Sequence, residues 1–140
     1  MKYAPSLVRL SSFVVRSSSF VLLFFLLLLT ACSGDDHSRV RRAAEKDYEY
    51  LQKGKYEKFV AEIAYADSMP EDYRAQMVDL VHEYAEQLNR QHGGMTDIAA
   101  VNDTILGDLA HVYLQITFTD STSEEVGVPM VKVGKKWKMQ

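Results

Sequence analysis

Four ionisable side chains lie at helical spacing near the middle of the chain: Asp79, His82, Glu83 and Glu86. The intervals i, i+3, i+4 and i+7 place them on one face of a helix, where imidazole and carboxylate groups could bind a metal. The apolar residues of the same segment lie on the opposite face, which favours a solvated helix surface. The spacing also lacks the His-Glu-x-x-His pattern of a zinc-binding helix. We therefore predict no metal and no other cofactor.

A second candidate for chemistry is His111. Alternating hydrophobicity predicts a strand in which His111 lies on the face opposite Val112 and Leu114, beside Tyr113. A histidine close to tyrosines in a cavity could act as an acid or a base. The same pattern is also typical of a half-exposed strand residue. No phosphate-binding glycine loop or serine–base arrangement accompanies it, so no catalytic residue is predicted.

The only cysteine of the chain ends the segment Leu29-Thr30-Ala31-Cys32. An aliphatic residue, two small residues and a cysteine resemble a bacterial lipobox, in which the chain is cut before a lipidated cysteine. The resemblance implies cleavage between Ala31 and Cys32 and lipidation of Cys32. The sequence would then divide into a signal peptide over 1–31, a flexible tether over 32–37 and a domain over 38–140.

The residues before Cys32 support an export signal. Residues 1–19 carry three basic and no acidic side chains. Residues 20–29 are strongly apolar, but a membrane-spanning helix needs about twenty such residues. The alternative is an uncleaved signal anchor with an ordinary cysteine. Ser33 after Cys32 favours the outer membrane of a Gram-negative bacterium, with the domain in the periplasm or on the cell surface.

The composition of the remaining chain limits the classes of function. Removal of 1–31 leaves 109 residues, enough for one domain that buries roughly 60–70% of its unfolded surface. It also lowers the basic count from 16 to 13 against 19 acids, a net charge of −6. An acidic domain lacks the electrostatic footprint of a nucleic-acid-binding protein. We therefore expect no nucleic-acid partner and, with one cysteine, no internal disulfide.

Helices are predicted in the first half of this domain. One begins at Ser38 and ends at Gly54, and a short helix follows from Tyr56. Ser68 and Glu71 have the spacing of a capping box, which predicts Ser68 as the N-cap of the longest helix. The predicted buried stripe of that helix comprises Tyr73, Met77, Leu80, Val81, Tyr84 and Leu88.

Strands are predicted after Gly93-Gly94. The first covers 98–106 and turns at Gly107-Asp108 into the clearest strand, which buries Ala110, Val112, Leu114, Ile116 and Phe118. In the third strand, the alternation changes at Pro129, which indicates a bulge or an edge position. A last short strand places Trp137 and Met139 on one face. We expect both to be buried against helices that carry Phe59 and Tyr84.

Helices followed by a meander predict an α+β fold, with the helices packed on a curved antiparallel sheet of about four strands. This order resembles the nuclear transport factor 2-like (cystatin-like) superfamily and, within it, small lumazine-binding-like bacterial lipoproteins of unknown function. The segments that carry the resemblance are 50–56, 108–112 and 131–139. It implies a cone-shaped cavity that members use as an active site, a binding site or a dimer interface.

Isomerase-like members of this superfamily use a tyrosine on the first helix. At the corresponding position, seven residues before Gly54, this sequence has Asp47, and Tyr48 is rotated by about 100° around the helix. We therefore predict a non-catalytic domain that binds an unknown small molecule or envelope protein, or that pairs as a homodimer through its sheet. An isomerase- or hydratase-like enzyme and a purely structural component stay open. An ionisable pair in the cavity would favour the enzyme.

Three segments resemble an O-glycosylation acceptor pattern of exported bacterial proteins, an aspartate followed by a hydroxyl residue. They place candidate acceptors at Ser68, Thr104 and Ser121. Aspartate before serine or threonine is also common in turns and caps because it accepts backbone hydrogen bonds. Ser121 is the best candidate because it lies in a predicted turn, whereas a paired strand would hinder Thr104.

Overall fold

A computed structural model describes residues 35–140. Helices precede a four-stranded antiparallel sheet in the order β1-β2-β3-β4, as predicted for an α+β domain. No helix in this part of the chain is long and apolar enough to cross a membrane. The elements are α1 (Asp36–Gln52), α2 (Tyr56–Ala61), a 3-10 helix (Ala66–Ser68), α3 (Glu71–His92), β1 (Met95–Leu106), β2 (Leu109–Phe118), β3 (Ser123–Val133) and β4 (Lys136–Met139).

Helix α1 begins two residues before the predicted start at Ser38. Asp35 is its N-cap and accepts a hydrogen bond from the backbone N–H of His37, which satisfies one free donor of the first turn. Gly54, with φ +68°, ends the helix in the left-handed conformation, as predicted. The buried face of α1 consists of Val40, Ala44, Asp47 and Leu51.

Three side chains of α1 hold the helix antiparallel to β1. Arg41 near its start bonds to Asp103, and Glu45 accepts the N–H of Ala100 at 2.8 Å. Gln52 at its end donates to the carbonyl of Met95 at 3.0 Å. Successive turns of the helix therefore contact successively earlier residues of β1.

Strand β2 lies inside the sheet and supplies more of the buried apolar side chains than any other element. Its five predicted inward residues are all buried, and the turn at 107–108 connects β1 to β2 as predicted. Trp137 and Met139 of β4 are also buried, each 6% exposed. Phe59 packs on the same core as expected, but Tyr84 does not, because it is 42% exposed on α3.

Strand β3 keeps one register with β2, so the predicted bulge at Pro129 is wrong. The carbonyl of Pro129 accepts the N–H of Gln140 at 3.0 Å, which places its ring nitrogen on the β4 side. Strand β4 ends at Met139, so proline removes no donor that the ladder needs. β3 is an inner strand of the sheet, so Pro129 is not at a sheet edge but lies just beyond the part of β3 that pairs with β4.

Helix α3 differs most from the prediction. Pro70 is its N-cap and Ser68 ends the preceding 3-10 helix, so the predicted capping box is wrong. Only Ala85 and Leu88 are buried, whereas Tyr73, Leu80 and Tyr84 of the predicted buried stripe are 50%, 60% and 42% exposed. The sheet has only four strands, and α1 already covers the face along β1, so α3 reaches the sheet only near its C-terminal end, where Leu88 packs on Ile116 and Phe118.

Candidate functional site

An open cleft of about 410 Å³ lies between α1 and the β3–β4 end of the sheet. Helix α1 supplies one wall, and the turn into β4 supplies the other. Glu62 is held beside β4 because its carbonyl accepts the N–H of Met139 at 3.2 Å. The lining residues are Arg39, Arg42, Ala43, Lys46, Asp47, Glu62, Lys135, Lys136 and Trp137.

Asp47 is the one buried charged residue among the described residues, with 3% exposure. Its Oδ2 atom has no hydrogen-bond partner among residues 35–140. Burial and repulsion from Glu62 raise the pKa of Asp47 to about 7, although Lys46 and Lys138 act in the opposite direction. Near neutral pH, this carboxyl can therefore donate a proton or a hydrogen bond as well as accept one.

Trp137 supplies a second unpaired polar atom in the lining of the cleft. Its indole Nε1–H is buried, and no acceptor bonds to it in the described part of the chain. The ring is fixed by the core below and by Lys132, whose Nζ lies 5.5 Å from the ring centre. A buried donor without a partner loses its hydration and gains nothing in return, so a ligand acceptor here would remove a cost of about 1–3 kcal/mol.

The rim of the cleft is basic, although the domain as a whole is acidic. Two acids, Asp47 and Glu62, face five cations. No short ion pair within residues 35–140 neutralises the two lysines of the β3–β4 turn. Opposite charges attract most strongly where the surroundings are partly dry, so the cleft favours an anion. The five cations are Arg39, Arg42, Lys46, Lys135 and Lys136.

In the sequence, Asp47 is notable only because it replaces the tyrosine of isomerase-like proteins. The signal that could have identified it is its spacing, because Asp47 lies seven residues after Val40 and four before Leu51. It therefore interrupts the apolar stripe of α1 with a carboxylate. The next residue, Tyr48, is half-buried next to Phe59 with ring centres 5.6 Å apart.

His111 lies on the outer face of the sheet, away from this cleft. Its ring contacts Tyr113, with ring centres 5.0 Å apart, and lies over Gly127. A Cβ atom at Gly127 would come within 2.4 Å of the imidazole, so glycine makes room for the ring. His111 forms no ion pair with an acid in the described part of the chain. The ionisable pair that would favour an enzyme is thus Asp47 with Glu62.

The polar face of α3 is exposed to solvent. Asp79, His82, Glu83 and Glu86 are all exposed, and His82 lies 3.9 Å from Glu86 while its ring stacks on Tyr56. Residues 35–140 contain no group of three or more side chains arranged to hold a metal ion.

The candidate glycosylation residues occupy three different environments. Ser121 is exposed in the β2–β3 turn with φ +68°, and Ser68 is exposed at the end of the 3-10 helix. Thr104 is exposed but belongs to β1, where it is paired with His111. Ala31 and Cys32, the predicted cleavage and lipidation residues, lie outside the described residues.

Comparison with known proteins identifies the fold. No protein-family model and no curated protein sequence matches this chain. A crystal structure from Campylobacter jejuni, of a protein provisionally named an NTF2-like transpeptidase, is similar with a TM-score of 0.57. The match has 18% identity and covers 69% of this chain and 92% of that chain. The described domain has an NTF2-like fold.

The NTF2-like fold explains why helices and sheet enclose a cleft but does not determine its use. Unrelated functions occur on one fold, so function must be argued from the site. Asp47 and Trp137 lie on the two walls of the cleft, on α1 and β4. Two residues that each carry a buried polar atom without a partner among residues 35–140 therefore line one opening.

Proposed function

We propose that this protein is a lipid-anchored envelope protein whose NTF2-like domain binds a small anionic molecule in the cleft between α1 and β4. The observation that carries the binding proposal is that two residues lining a basic cleft, Asp47 and Trp137, each have a buried polar atom without a partner among residues 35–140. Anchoring at Cys32 in the outer membrane rests on the lipobox-like segment at 29–32.

The chemistry of the cleft selects an anion that also accepts hydrogen bonds. Trp137 can only donate, and Asp47 can donate while it is protonated. The basic rim supplies long-range attraction, whereas these two groups orient the ligand inside. A carboxylate, sulfonate or phosphate group attached to a small apolar body fits this combination.

Asp47 makes the proposed binding dependent on pH. Its pKa of about 7 means that the carboxyl is mostly neutral at pH 6 and mostly ionised at pH 8. An ionised Asp47 repels an anion and no longer donates a hydrogen bond. Affinity for an anion is therefore expected to fall as the pH rises from 6 to 8.

A pair of fluorescent probes tests the binding proposal. 8-Anilinonaphthalene-1-sulfonate is an anion, and N-phenyl-1-naphthylamine has the same rings without the sulfonate. Trp137 is the only tryptophan and lines the cleft, so energy transfer from it reports binding to this domain. We expect saturable one-to-one binding of the sulfonate at pH 6, at least tenfold tighter than that of the neutral probe.

Charge-matched variants provide the control. Replacing Arg42 and Lys136 with glutamine removes two cations from the cleft and should weaken sulfonate binding about tenfold or more. Replacing Lys53 and Lys55 with glutamine removes the same charge from exposed positions outside the cleft lining and should leave it nearly unchanged. Equal effects of the two double variants would contradict a specific anion site.

The second candidate is an isomerase- or hydratase-like enzyme in the same cleft. It is favoured by the pKa of about 7 for Asp47, because a general acid or base works best when its pKa is near the operating pH. Glu62 and Asp47 would then form the ionisable pair, with Trp137 available to donate a hydrogen bond to a developing oxyanion.

Isotope exchange separates the enzyme from the binding protein. In D₂O, an enzyme of this type should introduce deuterium next to the carbonyl of members of a panel of enolisable ketones and 3-hydroxyacyl thioesters. The variant Asp47→Asn should abolish that exchange but retain sulfonate binding. Absence of exchange with the wild-type protein, together with saturable sulfonate binding, would favour the non-catalytic role.

A further inference from the structure

Three apolar side chains are exposed together at one end of the sheet. Leu106 and Leu109 flank the β1–β2 turn and are 80% and 49% exposed, and Val133 at the end of β3 is 38% exposed. The backbone N–H of Lys132 donates to the carbonyl of Asp108 at 2.8 Å, so the end of β3 lies beside that turn. No side chain of residues 35–140 buries this patch.

The first turn of α1 is fixed at the same end of the sheet. Lys132 Nζ donates to Asp36 at 3.1 Å, and Asp103 bonds to both His37 and Arg41. The side chain of Asp103 is fully covered. The bonds from Asp36 and Asp103 join α1 to β3 and β1, so the direction in which the chain enters the domain is set by the sheet.

Because the first turn of α1 lies at this end of the sheet, the apolar patch is close to the predicted anchor at Cys32. Cys32 precedes Asp36 by four residues, which span at most about 14 Å when fully extended. A lipid on Cys32 would therefore hold the start of α1 almost at the bilayer surface. Because the chain is so short, the end of the domain nearest the bilayer is the end that carries Leu106, Leu109 and Val133.

Charge at this end is compatible with a lipid surface. Lys135 and Lys136 in the β3–β4 turn are exposed next to Val133. The nearby acids are partly compensated, since Asp36 is paired with Lys132 and Asp103 with Arg41. Asp35 and Asp108 stay exposed. Apolar side chains beside cations suit the boundary between acyl chains and anionic headgroups.

We propose that this end of the sheet, consisting of Leu106, Leu109, Val133, Lys135 and Lys136, docks on the bilayer that holds the anchor. The two leucines and the valine enter the interfacial region, and the lysines contact headgroups. This inference rests on the proposed anchoring at Cys32 and goes beyond it, because it assigns an orientation. The cleft of Asp47 would then open beside the membrane surface through Lys135 and Lys136, which belong to both surfaces.

Depth-dependent quenching on the full lipidated protein tests the orientation. In that protein the thiol of Cys32 is blocked by the lipid, so an introduced cysteine is the only site for a nitrobenzoxadiazole label. Leu106→Cys places the label in the apolar patch. Ser121→Cys places it in the exposed β2–β3 turn at the opposite end, and Leu80→Cys places it on the exposed face of α3.

Vesicles of phosphatidylethanolamine and phosphatidylglycerol with doxyl-labelled lipid provide the quencher. We expect at least twofold stronger quenching and a blue-shifted emission at position 106 relative to position 121. Equal quenching at both positions, or stronger quenching at position 80, on protein that floats with the vesicles would overturn the orientation alone. Protein that does not float would overturn the anchoring and this inference together.

Discussion

Asp47 occupies a helix position where an apolar residue would normally complete the core. Its carboxyl is 3% exposed and has an unpaired oxygen, so it is most stable in the neutral form. Natural proteins tolerate such a cost where the group has a use. The adjoining cleft supplies the context in which a proton or hydrogen bond from Asp47 could reach a ligand.

The first prediction at the residue scale concerns pH and Asp47→Asn. The folded protein holds the proton of Asp47 up to a pKa of about 7, whereas the unfolded chain releases it near 3.8. Between pH 4 and 7 the folded state therefore binds more protons, so stability falls as the pH rises through this window. The loss reaches about 4 kcal/mol at ~1.4 kcal/mol per unit and is constant above pH 7.

The asparagine variant has no proton to lose at this position. Its unfolding free energy should exceed that of the wild type increasingly from pH 4 to 7, as measured by urea denaturation at several pH values. Glu49→Gln, on the exposed face of the same helix, serves as the control. A difference between Asp47→Asn and the wild type that does not change with pH would contradict the raised pKa.

The second prediction at this scale concerns Trp137→Ala. The indole is 6% exposed and belongs to the main core, so its removal should cost about 3–5 kcal/mol and lower the melting temperature by more than about 10 °C. Tyr73→Ala removes a half-exposed aromatic ring from α3 and should change stability by less than about 1 kcal/mol. Equal melting temperatures for wild type and Trp137→Ala would contradict the packing of β4.

At the scale of elements, the attachment of α1 to the sheet depends on Asp103. Hydrogen bonds from His37 and Arg41 and the charge of the Arg41 guanidinium outweigh the effect of burial and lower the pKa of this carboxyl. Because the folded pKa is below the unfolded value of 3.8, this contribution is present above pH 4 and is lost as the pH falls through the folded pKa.

Asp103→Asn should therefore destabilise the domain at pH 7 by about 1–2 kcal/mol, because two charge-assisted hydrogen bonds lose their anion. Asp97→Asn changes the same charge at an exposed position of the same strand and is the matched control. Chemical denaturation at pH 7 and pH 3 checks both points. If the two variants unfold alike at pH 7, Asp103 does not fix α1.

Helix α3 behaves differently from α1 because it has little sheet to cover. Its contact with the sheet is concentrated at its last turns, where Leu88 meets β2 and His92 lies 3.1 Å from Asp120. In the first half of α3, Tyr73 and Leu80 are exposed, although helical spacing places them on an apolar stripe. An amphipathic pattern reports that a face can be buried, whereas the number of strands decides whether it is.

At the scale of the whole molecule, Cys32→Ser tests the anchor. Several acyl chains at ~0.8 kcal/mol per buried methylene hold a protein on a membrane, whereas one chain is marginal. Cell fractionation should find the serine variant released from the membrane or retained as a precursor that still contains residues 1–31. A correctly cut serine variant that stays in the membrane fraction would contradict lipid anchoring.

Modification of the intact protein is a separate prediction. Ser121 is exposed in a turn, so a glycan there would disturb no strand pairing, whereas Thr104 belongs to a paired strand. Intact-mass measurement of protein from its native host should show added hexoses, and Ser121→Ala should remove most of them. A mass equal to that of the lipidated polypeptide would exclude glycosylation.

The class of the fold and most of its elements could be predicted from the amino-acid sequence alone. Alternation along Ala110 to Phe118 can be satisfied by only one register, because a shift by one residue would expose every inward side chain. The turn at Gly107 and the helix cap at Gly54 could also be predicted from local sequence, because each needs a positive φ that glycine adopts without strain. Local geometry and side-chain periodicity were sufficient for these features.

The position of the site depends on the tertiary structure. The burial of Asp47 and the contribution of Glu62 to its raised pKa come from contacts with elements that follow α1 in the chain. The same holds for Asp103, whose partners on α1 are more than sixty residues away. Electrostatics and solvation depend on all neighbours in space, and helical spacing on a single element cannot supply them.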